Sequence, residues 1–200
     1  MSNFSLGTSG ANIIKSYEGF SLKFYGDLYG FPTVGWGHLI TNTKTYTKNT
    51  TGNANDSLLT QAQADALSSS LSLGYTSPIS QSKANTFFTE DTAKAIKAVN
   101  NLVPPNGHTF SQSQFDALVS FTFNGGSGVL ATGDVQAMLA YQQIYPSFNG
   151  PLSTNEIDTC SRLVSKAFSY DRNLQRRRND EATLFCTGMK YTHKYPVYTL

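Results

Sequence analysis

The chain has 200 residues, which suits one domain or two small lobes that share a long helix. Only 14% of the residues are charged, against the usual ~25%, and the formal net charge is +2. This balance excludes the basic footprint of a nucleic-acid-binding protein, and no apolar run approaches the ~18 residues that a membrane span needs. We therefore expect no nucleic-acid partner and no insertion into a membrane.

The first predicted element is a short helix in SGANIIKSYEG, with Ser9 as its N-cap and Gly19 as its end. Glu18 then lies at the C-terminal end of this helix, where the helix dipole makes a negative charge unfavourable. Aromatic and β-branched residues around glycine-rich turns follow from residue 22 to residue 36, and they predict a small antiparallel sheet. Residues 41–57 are rich in Thr and Asn and form a polar insertion, either an extended β excursion or a loop.

Helical patterns fill the rest of the chain. Cap candidates at Thr60, Ser80 and Ser111 open three helices, and the second ends before Pro104-Pro105. Further helices are predicted near 134–143, 153–169 and 179–187. A small sheet followed by helices indicates the α+β class. We predict a single domain over residues 1–200, with a sheet lobe at about 15–79, a long joining helix at about 80–102 and a helical lobe at about 103–190.

The N-terminal segment also contains two carboxylates and a hydroxyl at short spacing, those of Glu18, Asp27 and Thr33. Splitting a glycosidic bond requires one carboxylic acid that protonates the leaving oxygen and one carboxylate on the other face of the sugar. Each residue also has a simpler explanation, because a glutamate at a helix end is usually solvated and an aspartate after glycine usually serves turn chemistry. Spacing alone therefore leaves both a catalytic cleft and a plain hairpin open.

The segment EGFSLKFYGDLYGFPTVGWGH closely resembles the signature of the phage-type lysozymes, glycoside hydrolase family 24. That family carries E-G, then L-x-x-Y-x-D, then G-x-x-T-[IV]-G-x-G-H, with the same gaps. The segments ISQSKANTFFTEDTAKAI, FDALVSFTFNGGSGVL and NLQRRRNDEATLFCTG extend the resemblance over most of the chain. The insertion 41–57 and the tail MKYTHKYPVYTL lie outside the resemblance.

The resemblance implies a lysozyme-like fold, in which a small antiparallel sheet lobe and a larger helical lobe are joined by a long helix. It also implies cleavage of the β-1,4 bond between N-acetylmuramic acid and N-acetylglucosamine in bacterial peptidoglycan, usually with inversion. By the same resemblance, Glu18 would be the general acid and Thr33 would hold the attacking water. Asp27 would activate that water or stabilise the cationic sugar.

The resemblance also implies supporting residues. Arg177 corresponds to an arginine that faces the catalytic glutamate. Its neighbours in the run 176–178 are alternatives for this role, and the run as a whole could also be a solvated basic surface. His38 is structural by this resemblance, and we predict that it pairs with Asp91 and ties the sheet to the long helix. The positions that line the substrate cleft are Leu39, Phe123 and Asn124, and a core position is the alternative for Phe123.

We expect no metal and no cofactor, because the three histidines lie far apart in the sequence and give no metal signature. Cys160 and Cys186 match no zinc spacing either. They are either two unpaired thiols or one disulfide, the latter if the protein works in an oxidising compartment.

Two other functions stay open, a lytic transglycosylase and a peptidoglycan-binding protein that has lost catalysis. The presence of both Asp27 and Thr33 argues against the transglycosylase, and the intact set of Glu18, Asp27 and Thr33 argues against the binding protein. The biological setting is either a phage endolysin or a secreted antibacterial effector, and an effector would require an immunity protein as a partner. The N-terminus lacks a basic start followed by an apolar run, so we expect synthesis in the cytoplasm without a signal peptide. We also expect a monomer. It would act on the cell wall, in the periplasm or outside the cell.

Overall fold

A computed structural model describes residues 3–44, 46, 48, 50, 51, 53–169 and 174–189. The tail from residue 190 and four positions of the insertion predicted at 41–57 lie outside the described residues. The chain divides into two compact units, one formed by residues 15–92 and the other by residues up to 14 together with residues from 93 onward. Within the described ranges, no helix is both long and apolar enough to cross a membrane.

Seven α-helices and one three-stranded sheet are present among the described residues. The helices are α1 (Thr8–Glu18), α2 (Gln61–Ser70), α3 (Gln81–Asn100), α4 (Gln112–Gly125), α5 (Gly133–Ala140), α6 (Thr154–Ala167) and α7 (Gln175–Thr187). The strands are β1 (Ser21–Gly26), β2 (Pro32–Gly35) and β3 (His38–Leu39). The predicted α+β class is confirmed, with a small sheet near the N-terminus and helices after it.

Three helices begin at the cap residues that the sequence predicts. The Thr60 side chain accepts a hydrogen bond from the Gln63 backbone N–H at the start of α2. Ser80 accepts from the Lys83 N–H at 3.1 Å, which opens α3. Ser111 accepts from the Gln114 N–H at 3.2 Å, and the Gln114 side chain bonds back to the Ser111 N–H, so a full capping box opens α4.

The start of α1 differs from the prediction. The helix begins at Thr8, one residue before Ser9, so Ser9 lies in the first turn and is not the N-cap. The exposed donors of this helix end are bound instead by the carboxylate of Asp116. The Gly7 N–H donates to its Oδ1 at 2.8 Å and the Gly10 N–H donates to its Oδ2 at 3.1 Å. A buried side chain about a hundred residues away thus replaces the local cap.

The three strands form an antiparallel sheet in chain order, in which Tyr25 pairs with Thr33 and Thr33 pairs with Leu39. The free edge of β1 is covered, because the Leu59 N–H donates to the Phe24 carbonyl at 2.9 Å and the Ser57 hydroxyl donates to the Gly26 carbonyl at 2.7 Å. Buried side chains of the sheet, of α2 and α3 and of the segments that lead into these helices form the core of this unit; they are Phe24, Val34, Leu59, Ala64, Leu67, Ile79, Ala84 and Phe87. The hairpin of β1 and β2 is therefore held on both sides.

The second unit is built around α4, in which every residue from Gln114 to Thr122 is buried. A helix that is covered on all sides forms the centre of a helical core. Helix α4 packs on α7, and α6 packs on both α5 and α7. The ring of Phe121 lies 5.0 Å from that of Phe168, which in turn lies 5.8 Å from that of Phe185. This packing fixes the C-terminal end of α4 against α7.

Candidate active site

The hairpin of β1 and β2 presents Asp27 and Thr33 on one face. Tyr25 is paired with Thr33, and cross-strand partners lie on the same face of a sheet. Asp27 follows Tyr25 by two residues, so its side chain leaves the backbone on that face too. The pairing continues to this point, since the Asp27 N–H donates to the Phe31 carbonyl at 2.9 Å. Leu39, the partner of Thr33 on β3, extends the same face.

The two oxygens of the Asp27 carboxylate have different surroundings. Oδ1 accepts hydrogen bonds from the backbone N–H groups of Tyr29 and Phe31, both at 2.8 Å. No described residue donates to Oδ2, and Asp27 is half-buried. The turn chemistry that offers a simple explanation for this aspartate therefore occupies one oxygen only. The other oxygen, Oδ2, is available to a water molecule or a ligand. The two hydrogen bonds to Oδ1 hold the carboxylate in position.

The hydroxyl group of Thr33 is committed as a donor. Thr33 is buried, and its Oγ1 donates to the Phe31 carbonyl at 3.1 Å. A hydroxyl carries one hydrogen, so any further partner of this oxygen must donate to it. Phe31 thus joins the two side chains, because its N–H binds Asp27 and its carbonyl binds Thr33.

Glu18 is the last residue of α1 and is half-buried. The helix stops there because Gly19 takes a positive φ of 68°, which glycine adopts without a Cβ penalty. A Cβ atom on Gly37 would stand 3.7 Å from the Glu18 Oε2, so the turn between β2 and β3 approaches this carboxylate. A side chain at position 37 would therefore reduce the space beside the Glu18 carboxylate.

The phenol of Tyr25 lies within electrostatic reach of both carboxylates. Burial, followed by the charges of Glu18 and then Asp27, raises the pKa of Tyr25 to about 12, and the Gly37 backbone N–H acts weakly in the opposite direction. The structure therefore places Glu18 and Asp27 around one buried tyrosine. The L-x-x-Y-x-D pattern in the sequence contains this tyrosine, but spacing alone gave it no role.

Comparison with known proteins agrees with this geometry. A family model described as phage lysozyme matches residues 15–181, which include the helix end, the hairpin and the arginine run. The chain belongs to the phage lysozyme family. The predicted family is confirmed, and with it the assignment to the glycoside hydrolases.

Individual relatives are distant. The endolysin of Bacillus phage B103 is 27% identical over 186 residues, which are 92% of this chain and 55% of that protein, so the chain spans about half the length of the curated relative that it matches. The solved structure of an endolysin from Escherichia coli O157:H7 phage FAHEc1 is 21% identical with a TM-score of 0.56, over 96% of this chain and 99% of the other. The solved structure of a P22 lysozyme mutant is 22% identical with a TM-score of 0.55, over 91% of this chain and 98% of the other. These structures confirm the lysozyme-like fold.

In this phage lysozyme family member, the predicted contact between His38 and Asp91 is present. The His38 Nδ1 lies 3.1 Å from each carboxylate oxygen of Asp91. The imidazole also stacks on the ring of Phe87, with centroids 3.8 Å apart and an interplanar angle of 3°. Because Asp91 and Phe87 are both on α3, the ring bridges β3 to the long helix, as a structural residue would.

Trp36 packs within its own unit. Its ring lies 4.5 Å from that of Phe20 and 5.6 Å from that of Phe88, and the Lys15 ammonium stands 4.0 Å above it. A cation over an indole face is a favourable contact. These contacts favour a packing role for Trp36. Leu39, by contrast, is exposed and is open to a ligand.

The arginine run does not form a solvated surface, apart from Arg176, which is exposed. Arg177 and Arg178 are buried, and both bind the fully buried carboxylate of Glu181. The Arg177 Nε donates to the Glu181 Oε1 at 3.1 Å, and an Nη of Arg178 donates to Oε2. Sequence reasoning missed Glu181, although its spacing of three and four residues from the two arginines places all three on one side of a helix.

The remaining predicted residues lie in the helical unit. Phe123 is half-buried, and Asn124 is exposed. The Asn124 Oδ1 accepts a hydrogen bond from Arg178. Arg177 belongs to this unit and Glu18 to the other. The predicted approach of Arg177 to Glu18, and the substrate contacts of Phe123 and Asn124, therefore stay predictions.

Cys160 and Cys186 are both buried and unpaired, so the alternative of two free thiols is confirmed. Burial raises the pKa of the Cys160 thiol to about 11 and that of the Cys186 thiol to about 12. Among the described residues, no group of three or more His, Cys, Asp or Glu side chains is placed to hold a metal ion.

Proposed function

We propose that the protein is a peptidoglycan hydrolase that cleaves the β-1,4 bond between N-acetylmuramic acid and N-acetylglucosamine with inversion. Glu18 acts as the general acid, and Asp27 activates the attacking water. Thr33 holds that water. Family membership supports this class of reaction, and the two carboxylates around Tyr25 supply the pair of groups that it requires.

The division of the Asp27 oxygens is the observation that carries the mechanism. An inverting hydrolase must hold a water molecule with a lone pair directed at the anomeric carbon. The Asp27 Oδ2 and the Thr33 Oγ1 are both acceptors here, because Oδ1 is bound by two N–H groups and the threonine hydrogen is donated to Phe31. A water molecule that donates one hydrogen to each has its lone pairs left for attack. Asp27 then takes the proton as the bond to carbon forms.

Glu18 is the natural partner of Asp27 because the charges of both carboxylates act on the buried phenol of Tyr25, and because a Cβ atom on Gly37 would stand 3.7 Å from the Glu18 Oε2. Protonation of the leaving oxygen by Glu18 and attack by the water on Asp27 complete a single displacement, in which one proton is supplied and one is taken up.

Substitutions at Thr33 test the role of the hydroxyl. Thr33→Val removes the oxygen at nearly constant volume, and Thr33→Ser keeps it. We expect the valine variant to lose at least about tenfold in kcat and the serine variant to retain most of it. Purified peptidoglycan is the substrate, mass spectrometry identifies the released fragments, and nuclear magnetic resonance follows the first anomer formed. Equal kcat in the two variants would contradict the water-holding role.

The same digest separates the proposed hydrolase from the alternatives. Hydrolysis gives reducing N-acetylmuramic acid ends, and inversion gives the α anomer first. Anhydro-muramic ends would instead identify a lytic transglycosylase, and an absence of new ends would identify a binding protein.

We further propose that the protein works as a monomeric phage endolysin on the bacterial cell wall, which the relative in Bacillus phage B103 supports. Cells that make it in the cytoplasm should stay intact until the inner membrane is permeabilised, and they should then lyse. A secreted effector would instead kill when it is directed to the periplasm and would be neutralised by a cognate immunity protein.

A further inference from the structure

The backbone of Phe31 orients the two side chains that hold water in the proposed mechanism. Its N–H donates to the Asp27 Oδ1, and its carbonyl accepts from the Thr33 hydroxyl and from the Asp27 N–H. A rotation of these peptide groups would turn the carboxylate, the hydroxyl or both. The packing around Phe31 therefore affects the geometry of the site at one step removed from the reacting atoms.

The turn that contains Phe31 supplies little of that packing. Leu28 and Tyr29, at its tip, are 58% and 65% exposed. The backbone hydrogen bonds of the turn run between its own residues, since the Gly30 N–H donates to the Asp27 carbonyl at 3.1 Å. A segment with exposed side chains and local hydrogen bonds opens readily unless another element covers it. The turn therefore depends on contacts from outside it.

The polar insertion 41–57 provides such a contact at Gly30. Tyr46 is half-buried and packs against the hydrophobic core that the sheet forms with α2 and α3. Its carbonyl oxygen lies against Gly30, where a Cβ atom would stand only 2.9 Å from it. Gly30 is buried and has a φ of 85°, so both the backbone conformation and the Tyr46 carbonyl favour glycine there. The anchored tyrosine thus closes the space behind the residue that precedes Phe31.

The same insertion also covers the Phe31 side chain. The Lys44 ammonium lies 4.9 Å from the centroid of the Phe31 ring, and a cation over an aromatic face is a favourable contact. Lys44 is exposed, whereas Phe31 is half-buried. Tyr46 thus limits the backbone before Phe31, and Lys44 limits the side chain.

We infer that Tyr46, assisted by Lys44, is a positioning residue that holds the peptide groups of Phe31. Through those groups it keeps the Asp27 carboxylate and the Thr33 hydroxyl aligned on one water molecule. The inference rests on the proposed function, because it takes that water as the nucleophile. The insertion lies outside the segments that carry the family resemblance, so this support is additional to the family signature. A displacement of about 1 Å can cost up to about a hundredfold in rate, which makes such a support measurable.

Tyr46→Ala tests this role, with Tyr75→Ala as the matched control. Both variants remove a half-buried tyrosine from the same core, but Tyr75 packs on the rings of Phe24 and Phe87. We expect both to lower Tm and only Tyr46→Ala to lose about tenfold in kcat on soluble peptidoglycan fragments, with KM within about twofold. Tyr46→Phe keeps the ring and should retain kcat. A wild-type kcat in Tyr46→Ala, or equal losses in both alanine variants, would overturn the inference.

Amide hydrogen exchange measures how firmly the turn is held, without any substrate. The amide hydrogens of Tyr29 and Phe31 bind the Asp27 Oδ1, and nuclear magnetic resonance follows each of them. Both should exchange at least about tenfold faster in Tyr46→Ala than in Tyr75→Ala. Equal exchange in the two variants would overturn the inference. If wild-type protein does not hydrolyse peptidoglycan, the proposed function fails, whereas the exchange rates still decide whether Tyr46 holds the turn.

Lys44→Met keeps the inference falsifiable if Tyr46→Ala fails to fold. It removes the charge from an exposed side chain at similar length, and Lys23→Met makes the same change on β1. We expect kcat to fall about threefold in Lys44→Met and to stay unchanged in Lys23→Met. In the Thr33→Val background, Lys44→Met should cost less than in the wild type, because both changes act on the hold of one water. An unchanged kcat in Lys44→Met, equal losses in both lysine variants, or losses that multiply in the double variant would each contradict a positioning role.

Discussion

The carboxylate of Asp116 offers the most direct test of what holds the N-terminal helix in place. It is 1% exposed, and it accepts from the N–H groups of Gly7 and Gly10 and from the Gln112 side chain at 2.7 Å. In Asp116→Asn, one of the two oxygens becomes an NH2 group. Whichever way the amide turns, it must oppose at least one N–H group that the carboxylate now binds.

The cost follows from the geometry. The cheaper orientation keeps the oxygen on the Gly7 and Gln112 side and turns the NH2 group against the Gly10 N–H. One hydrogen bond to a charged acceptor is then lost, two lose their charge, and a buried donor has no acceptor. We estimate a loss of about 3 kcal/mol in the free energy of unfolding. For a chain of this size, that corresponds to a fall of about 6 to 12 °C in Tm.

Thermal and urea unfolding, followed by circular dichroism, measure this effect. Asp158→Asn makes the same chemical change at an exposed position of α6 and should shift Tm by no more than about 1 °C. If Asp116→Asn and the Asp158→Asn control have the same Tm, the carboxylate does not cap α1 in solution, and the explanation given for the start of this helix ahead of Ser9 is wrong.

Two further predictions concern side chains around the rest of the fold. Asp91→Asn weakens the acceptor of His38 and should lower the free energy of unfolding by about 1 kcal/mol in a urea titration. Burial raises the pKa values of the thiols of Cys160 and Cys186, so few thiolates form at neutral pH. Native protein should therefore react with a disulfide reagent at least about a hundredfold more slowly than protein unfolded in urea.

For the Asp91 prediction, Glu90→Gln is the control. It changes an exposed carboxylate next to Asp91 and should change the free energy of unfolding by no more than about 0.5 kcal/mol. Equal stability of the two variants would remove the energetic role of the His38 contact. Fast labelling of either cysteine in native protein, at the rate of the unfolded chain, would show that the interior opens far more readily than the packing of α6 and α7 implies.

Local sequence signals predicted the parts of the fold that depend on neighbours along the chain. Ser111 and Gln114 predict the start of α4 because both halves of a capping box lie within one turn. The hairpin follows from glycines and aromatic residues around a short turn. The His38–Asp91 contact came from the family resemblance, because 53 residues separate the two and no local pattern joins them.

The features that were missed depend on distant partners. The sequence around Asp116 is typical of an ordinary polar position in a helix, and only the folded chain brings this side chain to Gly7. A run of three arginines is typical of a charged surface. The signal that two of them are buried is the helical spacing from Arg177 and Arg178 to Glu181, which places opposite charges on one side of α7.

In the proposed mechanism, Glu18 supplies the proton for glycosidic cleavage. Initial rates of hydrolysis of purified peptidoglycan, measured for the wild-type protein, Glu18→Gln and Glu90→Gln, test this role. We expect the Glu18 variant to lose at least about a hundredfold in rate with an unchanged Tm, whereas the Glu90 control retains full activity. Full activity of Glu18→Gln would show that another group protonates the leaving oxygen.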